Sequence, residues 1–236
     1  MFNFVFRFIL KNMKKLLVIL LSIVSLNSFS QVINEETKRL FTFGLDVFTD
    51  IWQDIPKTVD PKTINPGVNV FGTYNFMIGN GGVSFSPGLG IGVHNMFNSS
   101  FIHTNNDSSY FVPIKIEQPD LSYKKSKFVV TYLDIPLEIR YKSKSEFRVA
   151  VGFKFGFLIM AHSKYKGDDY QEGTTHLVIY KKKKIDNLET NRYGFTARIG
   201  YKWLNLWGYY QLSTLFQEGK GPEMYPISVG ITIIPF

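Results

Sequence analysis

Charged side chains of both signs recur at alternate positions within otherwise apolar stretches of this chain. These alternating positions are Asp46, Asp50, Asp134, Glu138, Arg140, Arg148, Lys154, Arg192, Arg198 and Lys202. Residues at i, i+2 and i+4 of a β-strand share one face, so the acids and bases would gather on one side of a sheet. Charges in a narrow, low-dielectric interior must pair or meet water. The pattern predicts a structural ion-pair network, with a proton or ion path as the alternative.

Histidine and serine side chains could together perform acyl transfer, in which a histidine base activates a serine nucleophile. The four histidines are His94, His103, His162 and His176, and Ser163 directly follows His162. Adjacent strand residues point to opposite faces, and the pattern places no acidic third partner beside this pair. We therefore expect no catalytic residues, no cofactor and no metal site, and we interpret the histidines as ordinary loop residues. An esterase or deacylase site and a metal site are the alternatives.

Three glycines at a spacing of two, Gly88, Gly90 and Gly92, superficially suggest a nucleotide-binding loop. A dinucleotide fingerprint needs a strand, a glycine-rich turn and then a helix, and no such unit follows here. The spacing instead puts all three glycines on one face of a strand, where they would allow close packing.

Four consecutive lysines form the run Lys181, Lys182, Lys183 and Lys184. Such a run can be a solvated charge cluster, or it can contact anionic phosphates or an acidic partner. We retain both interpretations, because the two are compatible.

The elements that would position these residues are long alternating strands. Every second residue from Phe147 to Ala161 is apolar, whereas most of the residues between them are small or charged. A strand in a soluble protein is usually about 5–6 residues long, and a tilted strand needs about 9–11 residues to cross a bilayer. Length and alternation together predict a transmembrane strand.

The rest of the chain repeats this pattern. The predicted strands are Leu40–Trp52, Gly67–Ile78, Val83–Asn95, Phe128–Tyr141, Phe147–Ala161, Arg192–Trp203, Leu206–Phe216 and Tyr225–Phe236. Short connections (79–82, 142–146 and 204–205) alternate with longer ones (53–66, 96–127, 162–191 and 217–224). Short turns at one end and long loops at the other are typical of bacterial outer-membrane barrels. We predict an all-β, eight-stranded antiparallel transmembrane up-and-down β-barrel with short periplasmic turns and long extracellular loops.

The faces of the strands can be assigned from side-chain size. In Val83–Asn95 one face carries Ser84, Ser86, three glycines and His94, which suits the cramped interior of a small barrel. The other face, which includes Leu89 and Ile91, would then meet lipid; a soluble barrel with an apolar interior is the alternative. We expect the interior charge network to contain Asp134, Glu138, Arg140, Arg148, Lys154 and Arg198. Predicted interface aromatics are Tyr141, Tyr201, Trp203 and Trp207 at the periplasmic rim and Trp52, Tyr132, Tyr193 and Tyr225 at the outer rim.

The N-terminus has the pattern of a secretory signal peptide. Met13-Lys14-Lys15 is a charged region, Leu16–Leu26 is apolar, and Ser28-Phe29-Ser30 is a small-x-small cleavage site. We predict a signal peptide in residues 1–30, with the true start at Met13, cleavage after Ser30, and a barrel domain in residues 31–236. A retained membrane anchor is the alternative, but an apolar stretch this short falls below the roughly 20 residues of a spanning helix.

Charge and cysteine content exclude several classes of protein. Removal of residues 1–30 takes away Arg7, Lys11, Lys14 and Lys15, which lowers the net charge from +8 to +4. A nucleic-acid partner is therefore not expected of this exported chain. Because the chain has no cysteine, neither a lipoprotein anchor nor a disulfide framework can form.

Part of the C-terminal half resembles a known family. The stretch Tyr132–Tyr141, YLDIPLEIRY, is similar to the hairpin motif of Bacteroidota outer-membrane β-barrel proteins of the PorT-like porin family. Residues 193–201 and 219–223 are similar to the same group, and the aromatic Phe236 is similar to the last residue of chains that the barrel-assembly machinery inserts. The resemblance implies a barrel fold and an envelope location without catalytic residues. Some members of this family assist protein secretion, and such a role would come to this chain by analogy alone.

The sequence favours a non-catalytic outer-membrane protein of a Gram-negative bacterium with a structural, binding or accessory role. A narrow pore or transporter for small solutes is the second hypothesis. A lipid-modifying barrel enzyme is the third, because such enzymes also hold a histidine and a serine near the outer rim. The expected partners are outer-membrane lipid and lipopolysaccharide, the barrel-assembly machinery and an envelope protein. Lys181, Lys182, Lys183 and Lys184 are the expected lipopolysaccharide or partner contacts.

Overall fold

The computed structural model describes residues 35–105 and 107–235. The chain divides into two compact units, Met1–Leu40 and Phe41–Phe236. The described part of the first unit is one short helix, α1 (Glu35–Leu40). The predicted signal peptide and Phe236 lie outside the described residues. The cleavage after Ser30 and the role of Phe236 as a terminal insertion signal therefore remain predictions. None of the helices in the described residues is long and apolar enough to cross a membrane.

The second unit consists almost entirely of antiparallel strands. The strands are β1 (Phe41–Gln53), β2 (Pro66–Tyr74), β3 (Phe76–Ile78), β4 (Val83–Asn98), β5 (Ser100–Thr104), β6 (Ser109–Pro113), β7 (Tyr123–Lys142), β8 (Phe147–Asp169), β9 (Thr174–Lys182), β10 (Asn191–Tyr201), β11 (Leu204–Gln211) and β12 (Tyr225–Ile233). A four-residue helix, α2 (Ile114–Glu117), follows β6. The predicted all-β class is confirmed.

Eight of these strands close into a ring, in the order β1, β2, β4, β7, β8, β10, β11 and β12, with β12 pairing back onto β1. When the register is followed around the ring from Thr42, it returns to β1 at Trp52, a stagger of ten residues. With ordinary strand spacing and rise, this stagger gives a tilt of about 40° and a backbone radius of about 8 Å. Such a barrel is narrow enough for its own side chains to fill.

The observed elements differ from the predicted strands mainly at the loop end, where the long connections lie. β7 begins at Tyr123 and β8 runs to Asp169, so both continue beyond the ring. There β8 pairs with β9, which lies in the connection predicted as a loop. The connection 96–127 holds the β5–β6 hairpin and α2. We call residues 123–129, 160–169 and β9 the sheet extension.

The predicted assignment of faces is confirmed on β4 and on the first part of β8. Ser86 and His94 are buried, whereas Leu89 and Ile91 are 60% and 51% exposed. On β8, Phe155 is 43% exposed on the outside. The apolar side chains therefore form the outer surface of the barrel, as lipid contact requires.

A bulge reverses the alternation in β8 near the loop end. Thr131 of β7 pairs with Met160, but the next residue, Tyr132, pairs with Leu158, so β8 has one extra residue. A bulge of this kind shifts the following residues to the opposite face. Ala161, predicted on the outer face, instead packs against buried residues, and Tyr165 is buried on the inside.

Three of the aromatic residues predicted at the membrane interfaces are inside the barrel. Trp52, Tyr132 and Trp207 are only 6%, 2% and 4% exposed, so their assignment to the rims was wrong. Each has the parity of the inner face of its strand, and each meets a polar or charged group there. The indole of Trp52, for example, donates to the carbonyl oxygen of Asn95 at 3.3 Å. Tyr141, Tyr193, Tyr201 and Trp203 are exposed on the outside, in line with the prediction.

Candidate functional site

The centre of the barrel contains a buried group of charges around Arg192. Nη2 of Arg192 lies 2.6 Å from Oδ2 of Asp134, and Nε lies 3.1 Å from Oδ1 of the same carboxylate. Lys154 contributes a second cation, with Nζ at 3.4 Å from Asp134. All three side chains are almost fully buried. A carboxylate shared by two cations in this way can remain charged without water.

His94 links this pair to a second carboxylate. Its Nδ1 lies 2.9 Å from Asp50, and its Nε2 lies 2.7 Å from Nη1 of Arg192. An arginine can only donate hydrogen bonds, so Nε2 must be the acceptor. Nδ1 must then carry the hydrogen, and it donates a hydrogen bond to the carboxylate of Asp50. The geometry therefore requires a neutral imidazole. Ser228 donates to Asp50 from the other side at 2.6 Å.

A second charge cluster lies nearer the short turns. Nη2 of Arg198 lies 3.0 Å from Asp46, and Nη1 of Arg198 donates to Glu138. Arg140 also binds Glu138, with Nη2 at 2.7 Å. Thr232 donates to Asp46 at 2.6 Å. Within this cluster each carboxylate has an arginine partner and each arginine has a carboxylate partner.

The two clusters balance in charge. The acids are Asp46, Asp50, Asp134 and Glu138, and the bases are Arg140, Lys154, Arg192 and Arg198. Breaking a buried pair by removing one partner is costly, because it leaves an unpaired charge. Four acids facing four bases around a neutral histidine are therefore suited to hold the barrel interior together.

Aromatic faces cover the cations in this interior. The guanidinium of Arg192 lies 3.9 Å from the ring centre of Tyr132, and the ammonium of Lys154 lies 3.9 Å from that of Tyr209. Arg198 lies 4.6 Å from the ring of Phe71. Such contacts stabilise a desolvated cation by about 2 kcal/mol or more. They also explain why large aromatic side chains occur on the inner face.

The glycines of β4 and β8 make room for these charged groups. A Cβ added to Gly92 would lie 3.0 Å from Oδ2 of Asp134, and one added to Gly156 would collide with Asp134 and Arg192. The packing interpretation of the glycine spacing on β4 therefore has a structural basis. These glycines face a charged interior and lie in a strand, not in a turn before a helix.

Two of the ten alternating charges lie apart from the clusters, at the end with the short turns. Arg148 is partly exposed, and its ion pair is with Glu146 at 3.8 Å. Lys202 is exposed in the turn between β10 and β11 with a φ of 53°, so its interior assignment was wrong. The other five residues predicted for the interior network, Asp134, Glu138, Arg140, Lys154 and Arg198, lie inside the barrel.

Sequence reasoning missed the central position of His94. The alternation of β4 puts it on the inner face with Ser84 and Ser86, but the sequence gives it no role beyond that of an ordinary histidine near the loop end. In the structure it is 1% exposed and lies between Asp50 and Arg192. The identity of its partners depends on the register of three other strands, which the sequence does not reveal.

The loop end of the barrel is closed by a hydrophobic cap that all four long connections help to build. Its members are Trp52, Val59, Met96, Ile102, Phe111, Phe128, Val130, Tyr132, Ile185, Leu188, Leu215, Phe216 and Met224. Hydrogen bonds join the long connections above the cap. The hydroxyl of Ser109 donates to the backbone oxygen of Asp186, and the backbone amide of Ser109 donates to the backbone oxygen of Lys220. Apolar burial on this scale is what orders long loops against their loss of entropy.

A cavity of about 240 Å³ lies between the β5–β6 hairpin and the sheet extension. Its lining includes Ser100, Phe101, His103, Tyr165, Tyr170 and Tyr180. The hydroxyl of Ser100 is buried there without a hydrogen-bond partner among the described residues. His103 is held by Glu117 at 2.9 Å, and the hydroxyl of Tyr180 donates to Asp169 at 2.6 Å. That last hydrogen bond raises the pKa of Tyr180 to about 12.

The arrangement of His162 and Ser163 does not form a nucleophile and base pair. The two lie next to each other in the strand, opposite Val129 and Phe128 of β7, and therefore point to opposite faces. Nδ1 of His162 has no hydrogen-bond partner within the described residues. Throughout residues 35–105 and 107–235, no group of three or more histidine, aspartate or glutamate residues could hold a metal ion.

The lysine run divides between a strand and a loop. Lys181 and Lys182 end β9, whereas Lys183 and Lys184 follow it. Lys182 donates to the hydroxyl of Thr104 at 3.0 Å, and Lys184 pairs with Asp186 at 3.3 Å. The four ammonium groups are therefore exposed but not equivalent.

Comparison with known proteins agrees with this architecture. A family model described as "Outer membrane protein beta-barrel domain" matches residues 29–217. No curated protein matches the chain. The matched region includes seven of the eight ring strands and most of the interior charge clusters. An apolar outer surface, a charge-balanced interior and this match place the protein in the outer membrane, and the chain belongs to the outer membrane protein beta-barrel domain family.

Proposed function

We propose that this protein is a non-catalytic, non-conducting outer-membrane barrel that acts as a binding or accessory component through its loop end. The observation that carries the proposal is a double closure of the barrel. The charge clusters fill the centre, and the hydrophobic cap covers the loop end. A continuous water path would have to break buried ion pairs and open a packed apolar layer.

The orientation follows from the general design of such barrels. The short turns, such as residues 79–82 and 143–146, face the periplasm, and the cap and sheet extension face the exterior. The signal peptide is cleaved after Ser30, and the barrel-assembly machinery inserts the chain. A PorT-like, Bacteroidota-type protein with a role near a secretion system is the family-level version of this proposal, and it is supported only by the resemblance of Tyr132–Tyr141 and the neighbouring segments.

The binding role is favoured by the form of the loop end. The long connections are ordered, since they form the sheet extension and the β5–β6 hairpin, which line a shared cavity. Ordered loops on a rigid scaffold are the usual location of binding residues. Exposed apolar side chains on β9, Leu177 and Ile179 at 53% and 57%, offer a contact surface for an envelope protein.

Single-channel recording separates this proposal from the pore hypothesis. Purified protein reconstituted in a planar bilayer should give no conductance steps, while a general porin in the same bilayer gives them. Discrete steps from the unaltered protein would overturn the closed-barrel proposal.

Two further measurements test the accessory role. A photo-crosslinking residue at Ile179 should give a discrete protein adduct in intact cells, and the same residue at Lys144 in a short turn should not give that adduct. Deletion of the gene should leave the mass spectrum of lipid A unchanged. A lost or shifted lipid A species would instead support the lipid-modifying enzyme.

A further inference from the structure

Three lysines on neighbouring strands of the sheet extension lie directly opposite one another. Lys127 of β7 pairs in register with Lys164 of β8, and Lys164 pairs with Lys181 of β9. Two residues further along each strand, Lys125 pairs with Lys166. We call Lys125, Lys127, Lys164, Lys166 and Lys181 the lysine row. Like charges in direct cross-strand pairs are destabilising, so this register is unfavourable in the free protein.

Among the described residues, no acid neutralises the lysine row. None of its five members forms an ion pair with a carboxylate in the part of the chain that the structure describes. Lys127 donates to Oδ1 of Asn95 at 2.6 Å, and Lys125 lies 4.7 Å from the ring of Phe97. Both contacts hold the lysines in place, but neither cancels their charge.

The electrostatic effect of the row acts on one of its members, Lys127, and on the neighbouring His162, and both lie outside the membrane-spanning part of the strands. Burial, and after it the positive charges of Lys125, Lys164 and Lys181, lower the pKa of Lys127. Burial, then Lys181, Lys127 and Lys164, also lower the pKa of His162. These directions show positive charge concentrated on one face, where an anion would relieve it.

The row faces the same way as the lipid-contacting surface. On β7 it continues the outward column of Leu133 and Thr131, and on β8 it begins four residues beyond the exposed Met160. Four residues extend about 13 Å along a strand, or about 10 Å above the apolar band at a tilt of about 40°. Lysine ammonium groups can reach back over several ångströms. The row therefore lies at the depth of the lipid head groups.

From this register, direction and depth we infer that the lysine row is a binding site for the phosphate groups of lipid in the outer leaflet. Phosphate fits because it offers several acceptor oxygens to several ammonium groups at once. Lys127 and Lys181 are two strand spacings apart, about 10 Å, so one phosphate-bearing head group can contact the whole row. The inference rests on the proposed outward orientation of the loop end, and it names the lipid partner of that surface.

Charge-matched variants test this site. The row variant carries Lys127→Gln, Lys164→Gln and Lys181→Gln, and the control carries Lys182→Gln, Lys183→Gln and Lys184→Gln. Both lose three positive charges from the loop end. Each protein is purified in a neutral detergent, mixed with bisphosphorylated lipid A, and assayed by native mass spectrometry for bound lipid. The row variant should bind about tenfold more weakly than the unaltered protein or worse, because three charge-assisted contacts are lost; the control should change by about twofold or less.

Competing ligands distinguish the source of the phosphate and the class of partner. Dephosphorylated lipid A should bind poorly to all three proteins, and inorganic phosphate at equal concentration should not displace lipid A. Equal loss in the row and control variants, or binding that ignores the phosphates, overturns the inference. Displacement by inorganic phosphate, or row-dependent binding of oligoglutamate in place of lipid A, overturns it as well and points to a free anion or an acidic protein.

A stability measurement guards against a trivial folding defect. Removing cross-strand repulsion should leave the lipid-free row variant as resistant to heat as the unaltered protein, or more so, in a gel-shift assay of barrel unfolding. A row variant that unfolds earlier would contradict the repulsion on which the inference is based. Because lipid binding in detergent does not depend on conductance or on a protein partner, the site can fail while the proposed function stands, and the reverse.

Discussion

The side chains of Arg192 and Asp134 meet across β8, which has a glycine at the position between them. Both residues pair in register with Gly156 of β8, Arg192 from β10 and Asp134 from β7. The guanidinium and carboxylate therefore join above Gly156, with Nη2 and Oδ2 2.6 Å apart. Glycine is required here because a Cβ would collide with both partners. One ion pair thereby ties three consecutive strands together inside the barrel.

The first prediction concerns this pair. Arg192→Met should lower the free energy of unfolding by about 3–5 kcal/mol, because Asp134 would lose its two-point partner in a buried site. Adding Asp134→Leu to that variant should recover only part of the loss: the buried acids and bases are again equal in number, but Lys154 no longer has its carboxylate partner. Urea unfolding of the barrel in lipid vesicles measures both changes.

A matched control for this prediction is Arg148→Met. Arg148 is partly exposed and its pair with Glu146 is long, so the change should cost less than about 1 kcal/mol. Similar losses for Arg192→Met and Arg148→Met would mean that the central pair contributes nothing specific.

The second prediction concerns the glycine beneath the pair. Gly156→Ala should destabilise the barrel by about 1–3 kcal/mol, because the added methyl group forces Asp134 and Arg192 apart. Gly208→Ala should be near neutral, since the closest atom to its added Cβ would be 3.9 Å away. The same unfolding assay compares them, and equal stability of the two variants would contradict the close approach at Gly156.

The third prediction concerns the lipid-facing surface. Phe155→Arg should insert poorly, because an arginine facing lipid near the middle of the membrane costs about 2–4 kcal/mol in a barrel. Phe155→Leu should fold almost as well as the unaltered protein. The folded fraction in the outer membrane, measured by heat-modifiable gel mobility, tests this; normal folding of Phe155→Arg would mean that the two faces are reversed.

The barrel could be predicted from sequence because two simple signals coincide. Alternation from Phe147 onward assigns the faces, and residues 79–82 and 142–146 separate the strands at regular intervals. Strand number, direction and lipid face follow from these signals, since each depends on local pattern alone. The inner position of Asp134 and Arg198 follows for the same reason.

What could not be predicted depends on register and on long-range packing. The bulge near Met160 shifts Ala161 to the other face of β8, and no glycine, proline or other characteristic residue at that position predicts the bulge. The sequence predicts a loop where β9 lies, because this segment is rich in lysine and alternates only weakly. The partners of His94 come from β1 and β10, so they require the ring to be closed before they can be named.

The fourth prediction concerns the N-terminus of the mature protein. The charged, apolar and small-x-small segments that end at Ser30 predict a mature chain beginning at Gln31. Intact-mass measurement of the protein purified from the cell envelope decides this. A terminus at Met1 or Met13 would show that the segment is retained.

The fifth prediction concerns topology and uses the absence of cysteine from the chain. A single cysteine at Lys183, in the connection that follows β9, should react with a membrane-impermeant maleimide on intact cells. A cysteine at Asn80, in the turn between β3 and β4, should react only after the outer membrane is permeabilised. The reason is that an up-and-down barrel places its short turns and long loops on opposite sides of the membrane.

A shielding lipid layer could slow the reaction at position 183, so the comparison needs a second reporter. Glu172 is exposed in the turn between β8 and β9, farther along the sheet extension from the ring than Lys164. A cysteine at Glu172 should therefore react at least as fast as one at Lys183 in intact cells. Labelling at Asn80 without labelling at either loop position would reverse the topology. The lysine row would then face the periplasm, and its assignment to outer-leaflet phosphates would fall with the orientation.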